Sequence, residues 1–276
     1  RAAFAYIFYM KFLKMHAAGN DYIYVSGEEN RSADYSFLAK KLCDRRFGVG
    51  ADGIIAVYRD ETKKCDFYMR IFNADGSEGK TCGNGLRCSA AFMRIIGKTT
   101  KETVAVRTVS ACHTVRLSPS ENGFFARADF PLPKIVSISK IADNALKKLF
   151  KNCDGATYAA VDAGNPHLVV FGAEKSAAEV FSEADIPNIF NDGINLESAK
   201  IGSDGICCDV FERGSGTTFS CGSGAVSTAF AAKKLLGFNL KKYPIFMRGG
   251  TLFVEFDNEK AYLSSEVTPV FMGETI

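Results

Sequence analysis

The sequence predicts an α+β protein of two pseudo-symmetric domains, each a curved, mostly antiparallel β-sheet or barrel around one central helix. Three observations lead there. Two segments 139 residues apart nearly repeat each other: Phe72-Asn-Ala-Asp-Gly-Ser-Glu-Gly-Lys-Thr-Cys82-Gly-Asn-Gly85 and Phe211-Glu-Arg-Gly-Ser-Gly-Thr-Thr-Phe-Ser-Cys221-Gly-Ser-Gly224. A second echo, Ala18-Gly19-Asn20 and Ala163-Gly164-Asn165, precedes those cysteines by 62 and 56 residues, counted from each Asn. Both halves therefore run in the same order, which chance matching of glycine-rich turns does not explain. Finally, each half has many short strand-like runs and few helical ones, the pattern of a sheet with a helix packed into it.

The elements follow in order. Strands are expected over 12–15 and 22–25, around the turn His16-Ala-Ala-Gly-Asn-Asp21. A helix is expected over 32–43, capped by Ser32 or Asp34, with Phe37, Leu38 and Leu42 on its apolar face. The glycine cluster Gly48-Val-Gly-Ala-Asp-Gly53 reads as a loop, since no dinucleotide-binding unit follows it. Strands over 54–58 and 65–72 lead to Cys82, which opens a helix to residue 96 that Gly97 stops. Strands over 104–109, 114–117 and 123–129 complete the first half, and Phe130-Pro-Leu-Pro133 is the linker candidate. The second half predicts strands over 156–161 and 168–171, a helix over 174–181, a strand over 205–211 and a helix over 222–236. Strands over 246–248, 252–256, 261–265 and 268–271 end it, while the charged run 140–151 reads as a solvated helix face. The expected domains are 10–129, joined by a returning last strand over 266–276, and 130–265. Residues 1–9, apolar but without a charged segment and cleavage site, are expected to be a remnant leader outside the fold.

Composition narrows the function. Hydrophobic residues make up 47% and charged residues 24%, as in an ordinary globular chain, and a net charge of +3 points to neither nucleic acid nor membrane as partner. No apolar run approaches the roughly 20 residues that span a bilayer. An odd count of nine cysteines without an export signal argues for reduced thiols in the cytoplasm. With three histidines and no Cys-x-x-Cys, neither a metal site nor a thiol-redox function is expected.

The paired cysteines suggest the chemistry. A cysteine at a helix N-terminus followed by Gly-x-Gly leaves backbone N–H groups open to an anion. The helix dipole stabilises a thiolate there, and the same amides can hold a carboxylate. Two such helix ends sharing one substrate would place sulfurs on opposite faces of its α-carbon. One thiolate would remove a proton and the other thiol would deliver one, inverting the centre without a cofactor, with the two titrations coupled. The bland alternative is two buried cysteines capping helices.

The blocks His16-Ala-Ala-Gly-Asn-Asp-Tyr22, Phe72-Asn-Ala-Asp-Gly-Ser-Glu78, Cys82-Gly-Asn-Gly-Leu-Arg-Cys88, Gly164-Asn-Pro-His167, Glu212-Arg-Gly214 and Cys221-Gly-Ser-Gly224 together resemble the diaminopimelate epimerases. The resemblance runs from Met10 to near the C-terminus, in the family's order. It implies interconversion of LL- and meso-2,6-diaminoheptanedioate, a step of lysine biosynthesis, with no pyridoxal phosphate or metal as cofactor. It implies Cys82 and Cys221 as the acid/base pair, and Gly83, Asn84, Gly222 and Ser223 as binders of the reacting carboxylate. Asn20, Asn73, Asn165, Asn195, Glu212 and Arg213 would bind the amino groups and distal carboxylate, and His167 would tune a thiol or orient Glu212. It also implies a small-molecule substrate as partner, a cytoplasmic enzyme and a homodimer. The chain departs from the family at Tyr22, where Phe is usual, at Ala17-Ala18-Gly19, and at Gly53, where some members carry Gln. The segment Asp192-Gly-Ile-Asn-Leu-Glu-Ser-Ala-Lys200 only loosely matches the family's Asn-Val-Glu-Phe block.

Residues also have plainer readings. Asn20 suits a turn, His167 a packed histidine, and Glu212 with Arg213 a surface ion pair. Glu212 stands nine residues before Cys221, as Asn73 does before Cys82, which favours a site role. The remaining cysteines and His113 read as structural. The rivals are a proline racemase-like or phenazine-pathway-type isomerase. The first has a substrate with no distal carboxylate for Arg213 and Asn73; the second lacks the cysteine pair.

Overall fold

A computed structural model describes residues 9–79, 82–151, 155–190 and 192–275. The expected leader lies outside these residues except for Tyr9, whose hydroxyl donates to Glu274. The chain forms two compact units, unit 1 from residues 1–128 with 266–276 and unit 2 from residues 129–265.

In chain order, the elements begin with β1 (Lys11–Ala17), β2 (Asn20–Ser26), α1 (Tyr35–Leu42), β3 (Gly53–Arg59), β4 (Phe67–Asn73), β5 (Glu78–Gly79) and α2 (Gly83–Ile95). Next come β6 (Thr103–Arg107), β7 (Cys112–Ser120), β8 (Gly123–Pro131), β9 (Lys134–Val136), α3 (Lys140–Leu149), β10 (Thr157–Asp162) and β11 (Pro166–Phe171). Then follow α4 (Ala177–Glu183), α5 (Ile186–Ile189), β12 (Asn195–Ile201), β13 (Ile206–Glu212), β14 (Gly216–Thr217), α6 (Gly222–Leu235), β15 (Tyr243–Met247), β16 (Gly250–Phe256) and β17 (Lys260–Glu274).

The units repeat one pairing scheme. In unit 1, the C-terminal part of β17 pairs antiparallel with β1, β1 with β2, β3 with β4, β6 with β7 and β7 with β8, while β2–β3 and β4–β6 are parallel. In unit 2, β9–β10, β10–β11, β12–β13, β15–β16 and β16 with the first part of β17 are antiparallel, while β11–β12 and β13–β15 are parallel. The short strands β5 and β14 fold back on β4 and β13 at equivalent places.

One helix lies inside each sheet. α2 touches β1, β2, β3, β4, β6 and β7, and α6 touches β10, β11, β12, β13, β15 and β16. Both are buried on nearly every side, from Asn84 through Met93 and from Gly224 through Ala232. Small residues such as Ser89, Ala90, Ala91, Ala225, Ala229, Ala231 and Ala232 let strands approach from all directions. A helix enclosed this way owes its stability to packing more than to propensity. Each large side chain it buries, such as Leu86 or Met93, contributes about 1.5–3 kcal/mol.

The structure refines several predicted elements. Asp34, not Ser32, caps the first helix, its Oδ1 accepting from Phe37 N at 3.0 Å. The helix expected over 174–181 begins later, at Ala177, behind a capping box of Ser176 and Glu179. The strand β12 was not anticipated, because its residues Asn-Leu-Glu-Ser-Ala-Lys-Ile do not alternate and carry polar groups in a buried strand. The candidate linker is not a loop, since Phe130 and Pro131 finish β8.

One expectation is overturned. Cys65 and Cys112 form a disulfide, so the thiols are not uniformly reduced. Their Cα atoms lie 6.6 Å apart although 47 residues separate them, because β6 pairs with both β4 and β7 and brings the two strand starts together. No other disulfide joins the described cysteines. Cys153 lies outside the described residues.

Candidate active site

Each unit places its cysteine at the same point. Cys82 is the N-cap of α2 and Cys221 the N-cap of α6, with nearly equal extended backbones (φ −137°, ψ 117° and φ −125°, ψ 118°). Each sulfur accepts a hydrogen bond from the amide three residues on, Gly85 N at 3.3 Å and Gly224 N at 3.4 Å. A helix-end sulfur sits where amide hydrogens and the macrodipole favour negative charge. Gly83 and Asn84, and Gly222 and Ser223, open the two helices, so their amides belong to the first turn, where N–H groups lack helical partners.

The second glycine of each motif has a packing role that the sequence did not show. A Cβ at Gly85 would lie 2.5 Å from Ile55 Cδ1, and a Cβ at Gly224 would lie 2.4 Å from Glu197 Oε1. Ile55 and Glu197 are equivalent by register. Ile55 pairs with Tyr24, four residues after Asn20, and Glu197 pairs with Val169, four residues after Asn165.

In unit 1, Asn20 begins β2 and its carboxamide is held in one orientation. Its Nδ2 donates to Asp52 Oδ2 at 2.7 Å, leaving Oδ1 to accept from the Cys82 thiol at 3.4 Å. Asp52 also accepts from Asp21 N and from Arg45, which bridges it to Asp21. Burial and the neighbouring Asp21 charge push the Asp52 carboxyl up, against its hydrogen bond from Asn20. Beneath the cysteine, the fully buried Arg87 donates to Gly83 O at 3.1 Å and to Asn84 Oδ1 at 2.7 Å. Burial lowers this guanidinium to about 10, although the Cys88 and Cys82 sulfurs pull the other way. Arg87 thus turns the oxygen of Asn84 inward. Asn73 ends β4, exposed, with Nδ2 donating to Ser77 Oγ at 3.0 Å.

Unit 2 gathers Asn165, His167, Asn195, Glu197, Glu212 and Cys221. His167 and Asn195 are register partners across β11 and β12. His167 is fully buried, its Nδ1 lying 2.7 Å from Glu197 Oε1 and its Nε2 3.0 Å from Asn165 Oδ1. Asn195 braces two segments, donating to Pro166 O at 3.1 Å and accepting from Arg213 N at 2.9 Å. The bond to Pro166 O uses one of the two Nδ2 hydrogens of Asn195. The Arg213 guanidinium donates to Asp192 O at 2.6 Å. Thr218 Oγ1 donates to Glu212 Oε1 at 2.5 Å, and burial raises the Glu212 carboxyl despite that bond. Burial pushes the Cys221 thiol well up, and the Glu212 and Glu197 charges push it the same way. Ser223 Oγ lies 3.5 Å from Cys221 Sγ.

The sequence singled out neither Glu197 nor Arg87, Asp52 and Thr218 as site residues. For Arg87 a signal existed, a charged side chain within a run of small and apolar residues. Burial pushes the thiol of Cys88 up to about 12, so it is a packed core residue. Cys221 Sγ, a Glu197 carboxylate oxygen and a His167 ring nitrogen lie within 4.8 Å of one another, the one three-residue group of metal-ligand type among the described residues. Hydrogen-bonded protons already join two of them. A cavity of about 380 Å³ in unit 1, between Tyr35, Arg70, Phe72 and Glu78, includes no cysteine.

Comparison with known proteins agrees with the motifs. A family model described as diaminopimelate epimerase matches residues 12–121 and 159–273. The diaminopimelate epimerase of Caldanaerobacter subterraneus is 36% identical over 276 residues, covering 96% of this chain and 99% of that one. That of Bacteroides thetaiotaomicron is 35% identical over 272 residues, covering 96% and 97%. Among solved structures, a phenazine biosynthesis protein of the PhzF family from Bacillus anthracis superposes with a TM-score of 0.72 at 16% identity, covering 97% and 99% of the chains. A probable proline racemase from Agrobacterium radiobacter gives 0.71 at 10% identity, covering 97% and 93%. The solved structures share the fold with both rival readings, whereas matching motifs at a third identity or more over nearly the whole length single out one family: the chain belongs to the diaminopimelate epimerase family.

Proposed function

We propose that the protein interconverts LL- and meso-2,6-diaminoheptanedioate without a cofactor, Cys82 and Cys221 acting on one α-carbon as base and acid. The observation that carries this reading is the duplicated cysteine cap. Two thiols in one chain each sit at the N-terminus of a buried helix, each receiving an amide hydrogen. Amides of Gly83, Asn84, Gly222 and Ser223 hold the carboxylate of the reacting centre and take up charge as the α-proton leaves.

The reactive form carries one proton between the two sulfurs. Burial and the carboxylates Glu212 and Glu197 support Cys221 as the holder of that proton. At rest the Cys82 thiol donates to Asn20 Oδ1, and the buried guanidinium of Arg87, on the helix that Cys82 caps, favours loss of that proton and so supports Cys82 as the base. The thiolate takes the α-hydrogen from one face and the thiol protonates the other, so the catalyst ends with its proton on the first sulfur and reverses for the opposite isomer. Glu212 suits an ammonium group, and Arg213 suits the distal carboxylate, with Asn20, Asn73, Asn165 and Asn195 completing recognition. His167 lies beside Cys221 and orients its surroundings.

The reaction belongs to lysine biosynthesis. A cytoplasmic setting fits an activity that needs both acid/base thiols unoxidised, Cys65–Cys112 being the disulfide formed among the described cysteines. No helix among the described residues is long and apolar enough to cross a membrane. A homodimer is supported by Val270, Phe271 and Met272, which stand 55%, 47% and 65% exposed on β17; light scattering of the purified protein tests it. The activity itself is tested by incubation with LL-diaminopimelate in heavy water. Deuterium is expected only at α-carbons, together with meso product; a protein that produced no exchange and no meso product would sink the reading.

A further inference from the structure

The two units are each other's control, and at one position they differ in kind. Unit 1 has Ile55, and unit 2 has Glu197, at equivalent registers beneath the second glycine of the cysteine motif. An apolar side chain there serves packing. A carboxyl group that is wholly buried costs stability unless something in the fold requires it. One of its oxygens is engaged by His167 Nδ1 at 2.7 Å, while Oε2 meets no hydrogen-bond partner among the described residues. Among the described residues its one hydrogen bond is therefore to the imidazole.

The hydrogen bonds assign the protons once the Asn165 carboxamide is taken in the orientation that turns its oxygen to the ring. Asn165 Oδ1 can only accept, so the contact at 3.0 Å requires a hydrogen on His167 Nε2. A second proton lies between Nδ1 and Oε1, on the ring or on the carboxyl group. With its oxygen committed to the ring, Asn165 has its NH₂ group left to offer. We propose that Glu197 is a positioning residue: through His167 it locks the Asn165 carboxamide with its hydrogens outward, making that position a donor suited to a carboxylate of the substrate and unsuited to an ammonium. The inference rests on the function proposed above for the substrate it names, but the proton positions can be checked without substrate.

The chain has three histidines, so ring ¹⁵N signals of His167 can be assigned by substitution of His16 and His113. In the unaltered protein the ring should show a hydrogen on Nε2 and a hydrogen-bonded proton at Nδ1. Glu197→Gln can donate to Nδ1 itself; it should keep the Nε2 hydrogen and hold the KM for diaminopimelate within about threefold, a conservative rescue. Glu197→Leu removes the partner, so the Nε2 hydrogen should no longer be fixed and KM should rise about tenfold, more than kcat falls, as expected for one lost hydrogen bond. A bare Nε2 in the unaltered protein overturns the proposal, as does a Glu197→Leu variant with unchanged ring signals and KM. If Glu197→Leu does not fold by circular dichroism, a bare Nε2 in Glu197→Gln overturns it alone. Absence of epimerase activity in the unaltered protein would instead remove the substrate reading and leave the ring measurement standing.

Discussion

At the scale of single residues, the environment of each sulfur differs although the local backbone is the same. Cys82 has a buried guanidinium nearby, which favours its thiolate against the Asn20 oxygen that accepts its proton, and Cys221 has two carboxyl groups. This difference predicts unequal reactivity. Iodoacetamide at pH 7 should label Cys82 well before Cys221, read by peptide mass spectrometry, since only the thiolate reacts quickly. Glu212→Gln removes a charge that raises the Cys221 thiol and should speed its labelling; an unchanged rate would show that burial alone holds the proton. Cys82→Ala and Cys221→Ala should each reduce stereoinversion by about a thousandfold or more, the loss expected when an essential proton carrier is removed. Turnover surviving in either variant contradicts the two-base scheme.

At the scale of elements, the enclosed helices explain why glycine recurs after each cysteine. A methyl group at Gly85 would press on Ile55 Cδ1, whereas one at Gly224 would press on a carboxyl oxygen. Gly85→Ala should therefore destabilise unit 1 by about 1–3 kcal/mol, the usual cost of overpacking. Ile55→Val deletes the atom in the way, so the double variant should recover part of that loss, measured as coupling in urea denaturation. Simple additivity of the two changes would argue that the helix shifts instead. Gly224 has no such apolar relief, because its neighbour is Glu197.

At the scale of the molecule, the Cys65–Cys112 link and Asp60 stabilise one corner of unit 1. The bond closes a 47-residue loop, so reduction should lower stability by about 2–4 kcal/mol, read as a melting shift with and without dithiothreitol. An unshifted melting curve would mean that the surrounding strands alone hold that corner. Close by, Asp60 accepts from Cys65 N at 3.0 Å, from Thr62 Oγ1 at 2.6 Å and from Arg107 Nε at 2.9 Å. Burial pushes this carboxyl up, but these donors outweigh it and hold it well below the ordinary value. A lowered folded value means that its stabilisation is present above the unfolded value of about 4 and fades as pH falls through the folded one. Acid titration of stability should therefore be flatter below about pH 4 in Asp60→Asn than in the unaltered protein; parallel curves would remove Asp60 as a source of acid sensitivity.

The amino-acid sequence by itself determined the duplication, the two central helices, and the placement of both cysteines at helix starts. These are local matters: a cap, a glycine pair, a run of small residues and the spacing between repeats. It also carried the family likeness, because Asn20, Asn165, Asn73, Glu212 and the cysteines stand in an order that folding does not alter. Tertiary structure alone decided that Cys65 meets Cys112, that Arg87 turns Asn84, that Asn195 braces two segments, and that Glu197 lies against Gly224 and His167. Most of these join residues distant in sequence. Their meeting depends on strand register and on which face of the sheet meets the enclosed helix, quantities that no single segment of the chain encodes.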